Sequence, residues 1–255
     1  TDTKACVEQA IRIIEAGGSL VRITAQGVKE AENLKNIHAA LRDRGYNTPL
    51  SADIHFTPDA ALVAARYVEK VRINPGNFAD KRATFQKLAY TDEEYMGELE
   101  RIRQKFGEFL AVCREHRTAV RIGTNHGSLS DRIMSRYGNT PAGMVEATLE
   151  YLRICKASDF KDVVISLKSS DCRVMVEAVR LLVKEMEKEG MEYPLHLGVT
   201  EAGEGEDGRI RSAIGIGTLL NEGLGDTIRV SLTEAPEAEI PVARTLVQLC
   251  RRADY

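Results

Sequence analysis

The sequence has no tryptophan, and aromatic residues make up only 5% of it. A site that must stack a flat ring therefore has no indole platform. No C-x-x-C occurs, and the five cysteines (Cys6, Cys113, Cys155, Cys172 and Cys250) are scattered. That spacing argues against a disulfide framework and against a metal or iron–sulfur site built from this chain. It fits reduced thiols in a cytoplasmic-type compartment. Cys113, Cys155 and Cys250 fall among apolar neighbours in helical patterns and read as packed thiols. No apolar run approaches the ~18 residues of a membrane span, and the opening carries no signal-peptide pattern. A net charge of −3 argues against a general nucleic-acid or membrane-surface role. Any cationic site must be a local concentration of charge.

What is present is a short unit that recurs. Val21-Arg22-Ile23, Val71-Arg72-Ile73 and Val120-Arg121-Ile122 are one tripeptide, and Ile228-Arg229-Val230 exchanges its branched residues. Each sits in a β-like run, where side chains alternate between faces. The branched residues point one way and the arginine the other, with Thr24, Asn74, Gly123 and Ser231 next on the arginine's face. A single strand arginine is more often solvated or paired at the surface. Four at matched positions would converge on one side of a shared sheet and suit an anion with several oxygens.

The pattern along the chain is strict β-α alternation. Helix Asp2–Ala16 precedes strand Ser19–Thr24, and a helix from about Lys29 to Arg44 precedes strand Leu50–Ile54. Thr57-Pro58 opens a helix to about Val68, before strand Lys70–Pro75. The connection Gly76–Thr118 is long, basic and irregular to Tyr90, then helical to His116 from the capping box at Thr91. Strand Ala119–Thr124 leads into a turn-rich loop, Asn125–Ser128, and Thr140-Pro141 caps a helix to Ala157. Strand Val163–Lys168, helix Cys172–Glu189, strand Leu195–Thr200, a helix from about Ile210 to Asn221, strand Thr227–Leu232 and helix Glu237–Arg251 complete it. This gives seven strands with right-handed crossovers, the pattern of a (β/α)8 TIM barrel lacking its first strand, which is expected just upstream of Thr1. An open doubly wound sheet is disfavoured because no G-x-G-x-x-G follows the first strand. Gly215-Ile216-Gly217 falls within a helix and reads as close helix–strand packing.

Barrel chemistry sits at the C-terminal strand ends. Those ends carry Arg22 and Thr24, Asp53 and His55, Arg72 and Asn74, Arg121 and Asn125, Ser166 and Lys168, Thr200 and Glu201, and Arg229 and Ser231. Five cations face two carboxylates, Asp53 and Glu201, so a bound polyanion such as a diphosphate would balance the remainder. Asp53 and His55, which point to the same face, could be a metal-ligand pair but suit orienting the arginines or bonding the ligand better. Glu201 is the acid/base candidate, with a salt bridge to a neighbouring cation as the competing reading. Glu204–Gly208 reads as a mobile lid or a solvated loop.

Several segments together resemble a known family: LSADIHF (50–56), VRINPGNF (71–78), VRIGTNHGSLSDRI (120–133), ISLKSSD (165–171), HLGVTEAGEGEDGR (196–209), SAIGIGTLL (212–220) and GLGDTIRVSLTEAPEAEI (223–240). They resemble the barrel domain of the (E)-4-hydroxy-3-methylbut-2-enyl diphosphate synthases, in the longer, plant-like form. The resemblance implies reduction of 2-C-methyl-D-erythritol 2,4-cyclodiphosphate, with ring opening and loss of water, in isoprenoid biosynthesis by the methylerythritol phosphate route. It implies that Arg22, Arg72, Arg121, Lys168, Arg229 and Ser231 bind the diphosphate with Asn74 and Asn125 nearby. Glu201 would assist proton delivery, and Asp53 would support the substrate or the arginines. It further implies a 4Fe-4S cluster held by three cysteines and a glutamate in a C-terminal domain, and ferredoxin or flavodoxin as electron donor. No such ligand motif stands in this chain, so residues 1–255 are expected to be a single substrate-binding barrel without redox activity of its own. The iron–sulfur domain of the same or a partner subunit is an expected partner; a homodimer stays open. The location implied is the cytoplasm of a bacterium or a plastid stroma. The competing readings are a pterin-binding transferase of the dihydropteroate synthase type and a non-enzymatic anion-binding barrel.

Overall fold

In the computed structural model, which describes residues 2–55, 57–80 and 89–251, each branched run forms a strand. β1 is Val21–Ala25, β2 Leu50–Ile54, β3 Lys70–Ile73, β4 Ala119–Asn125, β5 Val163–Lys168, β6 His196–Leu197 and β7 Thr227–Ile228. Helix α1 (Thr3–Glu15) leads, and α2 (Val28–Asp43), α3 (Pro58–Ala64) and α4 (Asp92–His116) follow the first three strands. After β4 come α5 (Asp131–Tyr137) and α6 (Pro141–Ala157). α7 (Cys172–Lys188) follows β5, α8 (Gly205–Asn221) follows β6, and α9 (Glu239–Arg251) follows β7. The middle of the basic connection, 81–88, lies outside the described residues.

β1 to β5 form a parallel sheet in chain order, β6 pairs with β7, and a parallel bridge from Ile165 to Leu195 joins the two sets. Strands paired in chain order with a helix after each are a TIM-barrel arrangement. Among the described residues no ladder joins β7 to β1. A cavity of about 480 Å³ lies on that side, lined from α1, β1, β7 and α9.

Register explains why the recurring tripeptide matters. In the β3–β4 ladder Val71, Arg72 and Ile73 stand beside Val120, Arg121 and Ile122. The four branched residues are fully buried, facing the helices as both faces of a parallel sheet require. Arg72 and Arg121 on the other face are each only 5% exposed. The solvated-arginine reading therefore fails for both. Arg22, on the unpaired edge of β1, keeps partial access to solvent.

The structure departs from the sequence reading in three places. β6 and β7 are shorter than Leu195–Thr200 and Thr227–Leu232, because beyond Leu197 a single bond, Arg229 N–H to the Leu197 carbonyl (2.9 Å), continues the pairing. The run Glu204–Gly208 is not a lid: Gly205 already opens α8, and Glu206 and Asp207 occupy its first turn, where the helix dipole favours acids. The sequence reading also passed over α5, which starts where the Ser130 hydroxyl accepts from the Ile133 N–H.

The connection after β3 is pinned as it leaves the sheet. Phe78 packs on Phe109, Phe106 and Tyr151 with ring centroids 5.6, 6.0 and 6.4 Å away. A Cβ on Gly76 would lie 1.6 Å from the Ser128 carbonyl oxygen, so only glycine lets the β3 and β4 loops touch there. Thr91 and Glu94 form the expected capping box at the start of α4.

Candidate functional site

The interior of the strand array is organised around Asp53, which is 1% exposed. Its two oxygens are divided between two arginines: Arg22 Nη1 donates to Oδ2 at 2.6 Å and Arg72 Nη1 to Oδ1 at 2.8 Å. The His55 ring stands 3.6 Å from Oδ2. Burial alone would raise the Asp53 carboxyl, but His55, Arg72, Arg22 and Arg121 hold it well below the usual carboxylate range. Asp53 thus ties Arg22 of β1 to Arg72 of β3, with His55 beside it. Among the described residues, no group of three His, Cys, Asp or Glu comes together as a metal site.

Arg72 passes on to a second acceptor, donating from Nη2 to the Gly123 carbonyl at 2.9 Å. A Cβ at residue 123 would meet Arg72 Nε at 2.5 Å, so the glycine makes room for the guanidinium. Among the described residues Arg121 is left almost unpaired, with a long 3.5 Å bond to the Ser166 hydroxyl as its one hydrogen bond. Among the described residues the Nε atoms of both Arg72 and Arg121 are buried donors without a hydrogen-bond partner. Such groups are rare in folded proteins, because a lost hydrogen bond is not repaid by water. Burial, then the charge of Arg72, lowers the Arg121 guanidinium to about 9.

Lys168 ends β5 beside Asn125 of β4. It lies over Gly198, where a Cβ would come within 2.7 Å of Nζ and 3.0 Å of the Arg229 carbonyl oxygen. The lysine is 8% exposed and has no ion pair among the described residues. Burial, then Arg121, Arg229, Arg22 and Arg72, lowers its ammonium well below the ordinary lysine value.

On the far side Arg229 is held by Glu239, Nε to Oε2 at 3.2 Å and Nη2 to Oε1 at 3.3 Å. Glu239 takes the place that the sequence reading gave Glu201 as second counterion. Glu201 is exposed, makes no ion pair among the described residues, and sits at φ 54°. That left-handed conformation is costly for a residue with a side chain and is a mark of functional turns. Asn74 is committed to the loops: Nδ2 donates to Ser128 at 2.8 Å and Oδ1 accepts from the Gly76 N–H at 3.1 Å. Asn125 and Ser231 stand at the ends of β4 and past β7.

The sequence reading missed a lower polar layer and one counterion. Lys70, Ser51, His196 and Thr227 line the same cavity as Arg22, Arg121 and Arg229. The period-2 rule would have found Lys70, two residues before Arg72, and His196, four residues before Thr200. Glu239 carried no local signal, since its role depends on how α9 docks. Burial, then Arg121, lowers the Lys70 ammonium to about 8. Burial, then Lys168, keeps His196 well below the ordinary histidine value.

The arrangement is therefore a bowl with more cations than counterions, which concentrates positive potential where a multi-oxygen anion can reach it.

Known proteins are similar to this chain in sequence or in fold. A family model described as the GcpE TIM-barrel domain matches residues 1–244. The 4-hydroxy-3-methylbut-2-en-1-yl diphosphate synthase (flavodoxin) of Phocaeicola vulgatus is 71% identical over 246 residues, covering 96% of this chain and 40% of the relative. The chloroplastic 4-hydroxy-3-methylbut-2-en-1-yl diphosphate synthase (ferredoxin) of Oryza sativa subsp. japonica is 57% identical over 248 residues, covering 97% of this chain and 33% of the relative. The chain thus spans well under half the length of these curated relatives. Among solved structures, a type I 3-dehydroquinate dehydratase of Clostridium difficile superposes with a TM-score of 0.57 at 12% identity, covering 98% of this chain and 88% of that one, a likeness of fold alone. With its family model matched over nearly all of its length, this chain belongs to the GcpE TIM-barrel domain family.

Proposed function

We propose that this barrel is the substrate-binding domain of a 4-hydroxy-3-methylbut-2-enyl diphosphate synthase, and that it holds 2-C-methyl-D-erythritol 2,4-cyclodiphosphate by its diphosphate. The observation that carries this reading is the pair of buried cations, Arg121 and Lys168, that form no ion pair with a carboxylate among the described residues. A charge left uncompensated inside a protein is costly, and a bound diphosphate supplies the missing negative charge. Arg22, Arg72 and Arg229 complete the cationic wall, with Ser231, Asn125 and Asn74 at its rim. Asp53 is a positioning residue that fans Arg22 and Arg72 apart. Glu201 stands at the mouth and delivers a proton as the ring opens and water leaves.

The reaction is a reduction, and its electrons come from outside this barrel. The iron–sulfur cluster that the family implies does not fit here, since Cys113 and Cys155 are buried in the helical core and no cysteine joins a ligand group among the described residues. An iron–sulfur domain of the same or a partner subunit, and flavodoxin or ferredoxin as donor, belong to the same proposal. Membership of this family favours the reading over a pterin transferase.

The test is calorimetric titration of the natural full-length chain with methylerythritol cyclodiphosphate at two salt concentrations. Binding is expected to weaken with salt and to fall at least tenfold in Arg121→Ala, given the ~1.5–3 kcal/mol of a hydrogen bond to a charged group. Salt-independent binding, or an unchanged Arg121→Ala, overturns the site. Glu201→Gln is expected to keep affinity and lose turnover; unchanged turnover removes its catalytic role and leaves an anion-binding barrel.

A further inference from the structure

We infer that Glu239, the first residue of α9, is a positioning residue for this site: it aims Arg229 and, through the loop after β7, holds the turn that bears Glu201. The inference rests on the reading of the barrel as a diphosphate site.

Glu239 is 6% exposed and spends both carboxylate oxygens on one strand end. Besides Arg229, its Oε1 accepts the Leu232 N–H at 3.1 Å, immediately after Ser231. The guanidinium and the backbone beside the serine are thus fixed by one side chain. The next residues continue the connection. Thr233 N–H donates to the Gly203 carbonyl at 3.1 Å, and the Glu234 carboxylate accepts from the Gly205 N–H at 3.1 Å and from Arg209 Nη1 at 2.6 Å. Gly203 lies two residues from Glu201, whose backbone is in the left-handed region. The loops after β6 and β7 are therefore one hydrogen-bonded unit, held to the core by the apolar Ala202 and Val230 and by the carboxylate of buried Glu239.

Arg229 needs that anchor. Arg22, Arg121 and Lys168 share its surroundings and repel it, and the open side between β7 and β1 offers it solvent. Without Glu239 the guanidinium is free to swing outward. Two effects of removing the carboxylate then oppose each other. Loss of a negative charge beside a cationic bowl favours anion binding; loss of aim and of loop order disfavours it. Orientation is expected to win, because a bidentate guanidinium contact depends steeply on geometry.

The experiment measures affinity for methylerythritol cyclodiphosphate in the natural full-length chain for the parent, Glu239→Ala, Glu239→Gln, Arg229→Ala and the double variant Arg229→Ala/Glu239→Ala, with circular dichroism as the check on folding. Glu239→Ala is expected to weaken binding about tenfold although it removes a like-signed charge, and Arg229→Ala is expected to cost little more in that background. If the alanine variant fails to fold, the isosteric Glu239→Gln carries the same expectation. Unchanged or tighter binding in these variants, or fully additive losses, overturns the positioning role and leaves the diphosphate site standing. No binding by the folded parent removes both.

Discussion

Two buried arginines in this molecule have opposite surroundings. Arg132, on α5, is 2% exposed and enclosed by carboxylates: Nη1 and Nη2 donate to Glu150 at 2.8 and 2.7 Å, and Nη2 donates to Asp80 at 3.0 Å. Its guanidinium lies 4.6 Å from the Tyr95 ring centre, and the Tyr95 hydroxyl donates to Glu150 at 2.6 Å. Burial would lower the Arg132 value, but Glu150 and Asp80 raise it above the ordinary one. Arg121 is as deeply buried, yet burial and Arg72 lower it. The first arrangement is closed, with two acids for one base, and ties α4, α5 and α6 to the loop after β3. The second is incomplete. A buried charge with all its partners inside the chain is a fastening; one without them leaves its partner to come from outside.

The sharpest way to break this comparison is to remove each charge in turn. Arg132→Met strands Asp80 and Glu150 without a counterion and is expected to cost about 3–5 kcal/mol in urea unfolding at neutral pH. Arg121→Met removes a charge that makes no ion pair among the described residues, so stability should hold or rise while anion affinity collapses. Equal destabilisation by the two substitutions would erase the distinction. A smaller effect is expected at Gly198, where an added methyl group meets the Lys168 ammonium at 2.7 Å. Gly198→Ala should displace the lysine and weaken diphosphate binding by about tenfold, measured by titration; unchanged affinity would mean that Lys168 is not a ligand.

The smallest expected effect is a pH dependence at Lys70. Its folded value is near 8 against an ordinary 10.5. The unfolded chain therefore binds more protons than the folded one between those values, and this group's contribution to stability rises with pH across that window. Lys70→Met should be more stable than the parent at pH 7, and the gap should narrow as pH rises from 8 to 10.5. A gap that is constant with pH in paired thermal melts would place the lysine in solvent rather than among cations.

Much of this was legible beforehand for a local reason. The tripeptides of β1, β3 and β4 announced strands because branched residues and an alternating arginine need no distant partner to show their period. The Thr91 capping box and the Thr57-Pro58 and Thr140-Pro141 starts were readable likewise. Failures came where a neighbour decides. The first turn of α8 looked like a loop because glycines and acids favour one, until the helix dipole and the Glu234 acceptor are counted. Lys70 and His196 obeyed the alternation but stood too early in their strands to be expected at a barrel mouth.

The sequence by itself determined the β-α alternation and a set of cations on one side of each strand, since period and composition are properties of neighbours along the chain. Only the tertiary structure decided which of those cations are satisfied. Asp53 reaches across from β2 to Arg22 and Arg72, and Glu239 reaches from α9 to Arg229. Among the described residues Arg121 and Lys168 form no ion pair, because the oxygens of Asp53 are spent on Arg22 and Arg72 and those of Glu239 on Arg229. Charge compensation is a matter of distance in space, and that distance is fixed by register and helix docking, which no local pattern encodes.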